Sequence, residues 1–500
     1  MRRVLSLSLI AAASLLLSAC SGGAEPEPGA QGIPAELRAI MSANRASALP
    51  PLRADFDKAA QRLLTPGLTL EGDLGVRSDI DGAPGPGGGT GSDPMGALLS
   101  HAQIAEEIDF LFRLLRYAYA GYQYFGGDAV FLPMRDAMLE RLAAMPDPLP
   151  VFSYLHDILA PALRREIADE HFSIGNVTIG ARWHALRMSD EHVLRRDRSG
   201  FVVEIDGSLH RVVETARMDG RAADGILPTI TREGEFAHAF GLFAAEDDWG
   251  ARALSVLLEN DATGERSSII VDLPRAPNYR PESRPLIYAR EESGIAIVES
   301  RNLRPTDSGS NGMFHRQGAS LRGARAAVLD LRGNSGGSAE LARNWIAGFT
   351  GRRPAGFAFA GFWLRSASNG GGAGRPGFPP AWEPSARPPA GLQTLPNDGL
   401  LIVLTDSNTA SAGDLFVGYL RELENVLFVG ANTAGVLVTG RVISRTLPNS
   451  GLPVAFGATL NLRPDFSQFE GVGFLPDLWA PPGESLERAL AFVERYGLNR

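Results

Sequence analysis

Two stretches of this 500-residue chain place a serine where its hydroxyl has room to act as a nucleophile. The first is Leu400 to Asp414, LLIVLTDSNTASAGD. Leu400 to Leu404 has the composition of a buried strand, and a polar turn follows it. After Ala410-Ser411-Ala412-Gly413-Asp414 the apolar spacing becomes helical. Ser411 is thus expected where a strand passes into a helix N-terminus. Free backbone N–H groups and the positive end of the helix dipole converge there and suit an oxyanion. Small neighbours leave the hydroxyl open, although a serine at such a place also serves as a plain helix cap. The second stretch is Gly333-Asn334-Ser335-Gly336-Gly337, which fits the G-x-S-x-G pattern of a nucleophile elbow.

A serine hydroxyl needs a base that takes its proton during attack. The eight histidines lie at 101, 156, 171, 184, 192, 210, 238 and 315. None follows Ser335, whereas an α/β-hydrolase needs its histidine after the serine, so that order fails for Ser335. The chain has one lysine, Lys58, in its amino-terminal region before a Gly/Pro-rich linker, which makes a Ser–Lys pair a poor fit. No Cys/His cluster has metal-ligand spacing, and no phosphate-binding or dinucleotide fingerprint stands in a suitable context. No cofactor or metal is expected.

Four segments taken together resemble peptidase family S41, which includes the C-terminal processing proteases and the tricorn core protease. They are Val328 to Gly337 (VLDLRGNSGG), Thr409 to Asp414 (TASAGD), Gly430 to Gly435 (GANTAG) and Glu470 to Asp477 (EGVGFLPD). The resemblance implies a ClpP/crotonase-like α/β core and peptide-bond hydrolysis. It makes Ser411 the nucleophile and gives an oxyanion hole from the N–H groups of Ala412 and of Gly336 or Gly337. The processing proteases carry a lysine just after the third segment, and here that place is Val436. The tricorn-like branch uses an upstream histidine and a later glutamate. Asp169-Glu170-His171-Phe172-Ser173 resembles its D-x-H-[ST] segment, and Glu470 stands in the place of its glutamate. The expected set is therefore Ser411, His171 as base and Glu470 as support. In the tricorn protease a serine precedes the histidine. Here Glu170 does, which leaves Ser173 as a possible relay hydroxyl and Glu170 itself to be placed. A non-cleaving relative that binds hydrophobic ligands or peptides is the alternative.

These residues must be positioned by the rest of the chain. Met1-Arg2-Arg3 followed by the apolar run Val4–Leu17 reads as a signal segment, residues 1–19. Its end, Leu17-Ser18-Ala19-Cys20, resembles the lipobox of bacterial lipoproteins. That implies acylation of Cys20, the sole cysteine, and a lipid anchor on the periplasmic side of the outer membrane. Residues 20–35 read as a tether, 36–100 as a helical run plus a Gly/Pro-rich linker, and 101–168 as a helical domain. Tyr117, Tyr119, Tyr122 and Tyr124 in the last of these fit core packing better than a binding platform.

Residues 169–285 carry short strand-like runs and the candidate histidine, with no convincing Gly-Leu-Gly-Phe-like carboxylate loop of a PDZ domain. Residues 286–500 alternate strands and helices as the α/β core. Within them, 367–391 is long and Gly/Pro-rich, as an active-site flap would be. The net charge of −9 argues against a nucleic-acid partner, and a polypeptide substrate is what the resemblance to family S41 implies. Nothing in the sequence sets an oligomeric state.

Overall fold

The computed structural model describes residues 32–64, 94–180, 183–277, 279, 287–356, 358–364, 382–386 and 394–499. The signal segment, Cys20, the linker and most of the expected flap lie outside these residues.

The expected α/β core is present. Strands Ile295–Ser300, Ala326–Asp330, Leu400–Thr405, Val426–Gly430 and Leu478–Trp479 run parallel, with Ile287–Glu292 antiparallel at the edge. Parallel strands are covered on both faces, which is why Leu400–Thr405 and Val426–Gly430 are apolar without alternation. Leu329, Leu401 and Val403 face a layer holding Trp345 and Phe416 of helices Ala339–Thr350 and Ala412–Leu420. Their neighbours Val328, Ile402 and Leu404 face Phe492 and Val493 of helix Ser485–Arg495, together with Leu37 of helix Ala35–Ala48. The period of two along a strand thus sorts one apolar run into two cores. The amino-terminal helical run joins both, with Leu37 in the second core and Ala48 in the first.

The β-rich region does not form a separate sheet. Strands His184–Asp197, Gly200–Ile205, Ser208–Arg217, Ile226–Ile230, Phe236–Ala245, Ala253–Asn260 and Arg266–Asp272 pair antiparallel. They continue into the parallel core through Thr229 against Trp479, which makes one 13-stranded sheet. Thr229 Oγ1 donates to Trp479 O at 2.6 Å and fixes this join.

The histidine-bearing segment lies apart from that sheet, and here the expected partition is corrected. Ser173–Ile174 pairs with Val454 and Ala455 of strand Pro453–Leu462 in a second, six-stranded sheet. Its residues Phe172 and Ile174 share a core with helices His101–Ala118 and Asp128–Ala143. The first of these helices starts on a capping box between Ser100 and Gln103, as an S-x-x-Q start allows. Ile104, Ile108, Leu111 and Leu115 give it a buried stripe. Residues 169–174 are therefore held by the helical layer and the carboxyl-terminal third of the chain, two parts far apart in sequence.

Candidate active site

Ser411 stands between strand Leu400–Thr405 and helix Ala412–Leu420, where the sequence places it. Its backbone has φ 56° and ψ −116°, outside the regions that L-residues favour. Such strain is kept only where surrounding bonds over-determine it. Those bonds tie two loops together. Ala410 N–H donates to Asn334 O at 2.9 Å, and Thr409 Oγ1 donates to Leu331 O at 2.9 Å. Asp406 Oδ1 accepts from Gly333 N–H at 2.8 Å. The serine turn is thereby clamped onto the turn at 333–337.

His171 Nε2 lies 3.0 Å from Ser411 Oγ. This is a nucleophile–base distance, and with Nε2 unprotonated the hydroxyl donates to it. Ser335, the competing serine, is exposed on the turn facing Ser411 and makes no bond to a histidine among the described residues. Lys58 is exposed on helix Phe56–Leu63, and Val436 gives its N–H to Asp414.

The imidazole is partly buried, and among the described residues no hydrogen bond of ordinary geometry reaches its Nδ1. Burial lowers its pKa, while the Asp169 charge and the Thr439 backbone oppose that and favour the protonated ring. Asp169 is fully buried. Its carboxylate accepts from His171 N–H at 2.9 Å, from Tyr119 OH at 2.7 Å and from Thr439 Oγ1 at 2.9 Å. The carboxylate that acts on His171 is thus Asp169, two residues before it.

Glu470 does not touch the ring, in contrast to the expectation that it orients the imidazole. Its Oε1 accepts from Glu170 N–H at 2.8 Å, and its Oε2 accepts from Leu437 and Val438 N–H at 2.8 and 2.7 Å. It bridges the strip before the histidine to the strip after the 430–435 turn. Burial, then the Asp169 charge, push its pKa well up. Burial also pushes the Asp169 pKa up, against the opposing pull of the His171 charge and of its hydrogen-bond donors.

The expected relay positions are not on the ring either. Ser173 is in a strand pair with Ala455, and the Glu170 carboxylate lies against Gly180. The hydroxyls that serve the network are Tyr119 and Thr439. The D-x-H spacing could have pointed to Asp169. The sequence carries no mark for Thr439, and Tyr119 reads as packing because it also is packing, edge-on to Phe172 at 5.2 Å.

The oxyanion side narrows the expectation. Gly336 N–H is taken by Asn334 Oδ1 at 3.0 Å, so Gly336 is not a free donor. What it supplies is closeness. A Cβ there would lie 2.6 Å from Ala410 O and 2.9 Å from Ala412 N, and φ is +88°. The N–H groups of Gly337 and Ala412 have no partner among the described residues. Asp330 and Arg332 are a structural pair: Arg332 is bidentate to Asp330 at 2.9 and 2.7 Å, and Arg301 adds a third bond at 2.9 Å. Among the described residues no group of three or more His, Cys, Asp or Glu could hold a metal ion.

The model of Peptidase family S41 matches residues 304–479, a span that contains Ser411, the 333–337 turn and Glu470 but not His171. Residues 304–479 thus form a Peptidase family S41 domain, which makes the protein a serine-type peptidase. No curated protein matches it. Among solved structures, mature CPAF is similar with 14% identity and a TM-score of 0.39, covering 79% of this chain and 96% of that one. The photosystem II D1 C-terminal processing protease gives 14% and 0.37, covering 79% and 99%. The tricorn protease gives 15% and 0.35, covering 80% of this chain and 37% of that one. At such scores these likenesses carry no weight of their own, and the family assignment rests on residues 304–479.

Proposed function

We propose that Ser411 and His171 hydrolyse internal peptide bonds of a polypeptide substrate. The observation that carries this is the 3.0 Å approach of His171 Nε2 to Ser411 Oγ, made by residues 240 positions apart. Oγ attacks the carbonyl carbon and its proton passes to Nε2. The imidazolium then protonates the leaving amine, and water attacks the acyl-enzyme with His171 again as base. Asp169 stabilises the imidazolium by charge. Glu470 is a positioning residue that holds the backbone on either side of the ring. The N–H groups of Gly337 and Ala412 receive the oxyanion, each donor contributing about 2.7–4 kcal/mol to the transition state. We assign membrane attachment to acylation of Cys20, with the enzyme facing the periplasm from the outer membrane. The support is the Leu-Ser-Ala-Cys sequence after an apolar segment.

Labelling by a fluorophosphonate tests the core of this reading. Wild type and Ser335→Ala are expected to label, and folded Ser411→Ala and His171→Ala to lose labelling. Loss confined to Ser335→Ala would place the nucleophile on the wrong turn. A folded wild type that never labels would favour a binding protein. Cys20→Ser is expected to release the protein from membranes, and retention on them would overturn the anchor.

A further inference from the structure

A cleft of about 1020 Å³ opens between the β-rich half of the large sheet and the loop before the last helix. Its wall includes Arg187, Arg252 and Arg275, and no part of the Ser411 site. Arg187 and Arg275 are directly opposite each other in an antiparallel bridge. Like charges at such a position are destabilising unless something neutral or negative intervenes.

Three nearby carboxylates are already engaged. Glu246 pairs with Arg275 at 2.6 Å, and Asp248 bonds Arg217. Asp190 is held by Arg488 at 2.9 Å. Arg252 lies over the Trp249 ring, 3.3 Å from its centroid, and pairs with no carboxylate among the described residues. Arg187 is only 8% exposed. Its Nε is buried without a partner, and its one hydrogen bond among the described residues is a long one, 3.4 Å from Nη2 to Glu246 O. A buried guanidinium normally has its donors met, because the unmet charge is costly.

We propose that this cleft is an anion site in which Arg187 and Arg252 bind a single carboxylate of a polypeptide, at a distance along the substrate from the scissile bond. The choice of a polypeptide rests on the peptidase reading; the anion site does not. Glu191 and Asp272 also line the cleft, which favours one isolated carboxylate over a polyanion. The wall is tied to the site. His184, three residues before Arg187, donates its N–H to Gly471 O at 2.9 Å, next to Glu470. Arg332, beside the 333–337 turn, donates to Pro482 O, between the cleft residues Pro481 and Gly483.

Binding to the Ser411→Ala chain separates this site from hydrolysis. Three fluorescein-labelled peptides of one sequence are compared by anisotropy. One has a central Glu and an amidated terminus, one has Gln in place of Glu and an amidated terminus, and one has Gln and a free terminus. The proposal expects at least one carboxylate peptide to bind about tenfold tighter than the neutral one, with the advantage falling as salt rises. Which of the two does so tells a side-chain carboxylate from a chain terminus. Adding Arg187→Gln, or independently Arg252→Gln, is expected to remove the advantage, and Arg187→Lys to keep part of it. Equal binding of all three peptides, or an advantage that persists in a folded Arg187→Gln and Arg252→Gln, overturns the site. Loss of fluorophosphonate labelling in wild type with the peptide advantage intact would overturn the peptidase reading alone.

Discussion

At the scale of single residues, the histidine decides when the serine can act. Burial lowers the His171 pKa, so the base stays neutral to a lower pH than an ordinary imidazole. The Asp169 charge opposes this shift. Asp169→Asn removes a group that raises the pKa, so the acid limb of kcat/KM is expected to move to lower pH. The imidazolium also loses its counter-charge, and kcat is expected to fall by about 10²-fold or more. Glu470→Gln is expected to lower activity with the acid limb in place, because Glu470 acts on backbone N–H groups and not on the ring. A pH–rate profile of both variants distinguishes the roles, and a limb that moves only in Glu470→Gln would reverse them.

At the scale of elements, two turns are pressed together at Gly336. Gly336→Ala would set a Cβ 2.9 Å from Ser411 Cβ, and its φ of +88° is unfavourable for alanine. The expected outcome is a folded protein whose fluorophosphonate labelling rate falls at least about a hundredfold, since small misplacements of reacting groups cost that much. Wild-type labelling would show that the turn can relax.

The strand that leads into this turn ends at Asp330. Burial pushes its pKa up, but Arg332 and Arg301 outweigh burial and hold the carboxyl down at about 2, against an ordinary 3.8. A depressed folded pKa means stability that is complete above 3.8 and is lost as pH falls toward 2. The amount is about 2–3 kcal/mol from the size of the shift. Asp330→Asn leaves Arg332 buried with an uncompensated charge and is expected to cost about 3–5 kcal/mol at neutral pH. Denaturant unfolding at pH 7 and pH 3 checks both statements. The gap between wild type and variant should narrow at the lower pH.

At the scale of the whole molecule, the base is assembled from parts that the sequence separates widely. Tyr119 comes from the end of helix His101–Ala118, Asp169 from the segment before the second sheet, and Thr439 from the strand after the 430–435 turn. The helical layer is therefore coupled to the chemistry. Tyr119→Phe keeps the ring packing on Phe172 and removes one donor to Asp169. It is expected to cost about 1–3 kcal/mol in stability, as an unmet buried acceptor does. Losing a donor raises the Asp169 pKa further and weakens the counter-charge to the imidazolium, so kcat should fall while KM changes little. An unchanged kcat would show that the hydroxyl matters for folding alone.

What the sequence determined by itself was local. The apolar run from Leu400 marked a buried strand, observed as Leu400–Thr405, because burial on both faces needs continuous apolar side chains. Small residues and glycines marked the two turns, because close backbone approach excludes a Cβ. Motif order and the lack of a second lysine led to Ser411 and His171. The tertiary structure decided which groups meet across long separations. It put Asp169 beside the ring and Glu470 on the backbone around it. It gave the Gly336 N–H to Asn334, and it carried the β-rich strands into the main sheet through one residue pair at Thr229 and Trp479. Those outcomes depend on hydrogen-bond donors that every residue carries and on packing between distant elements, and neither leaves a residue-type signature along the chain.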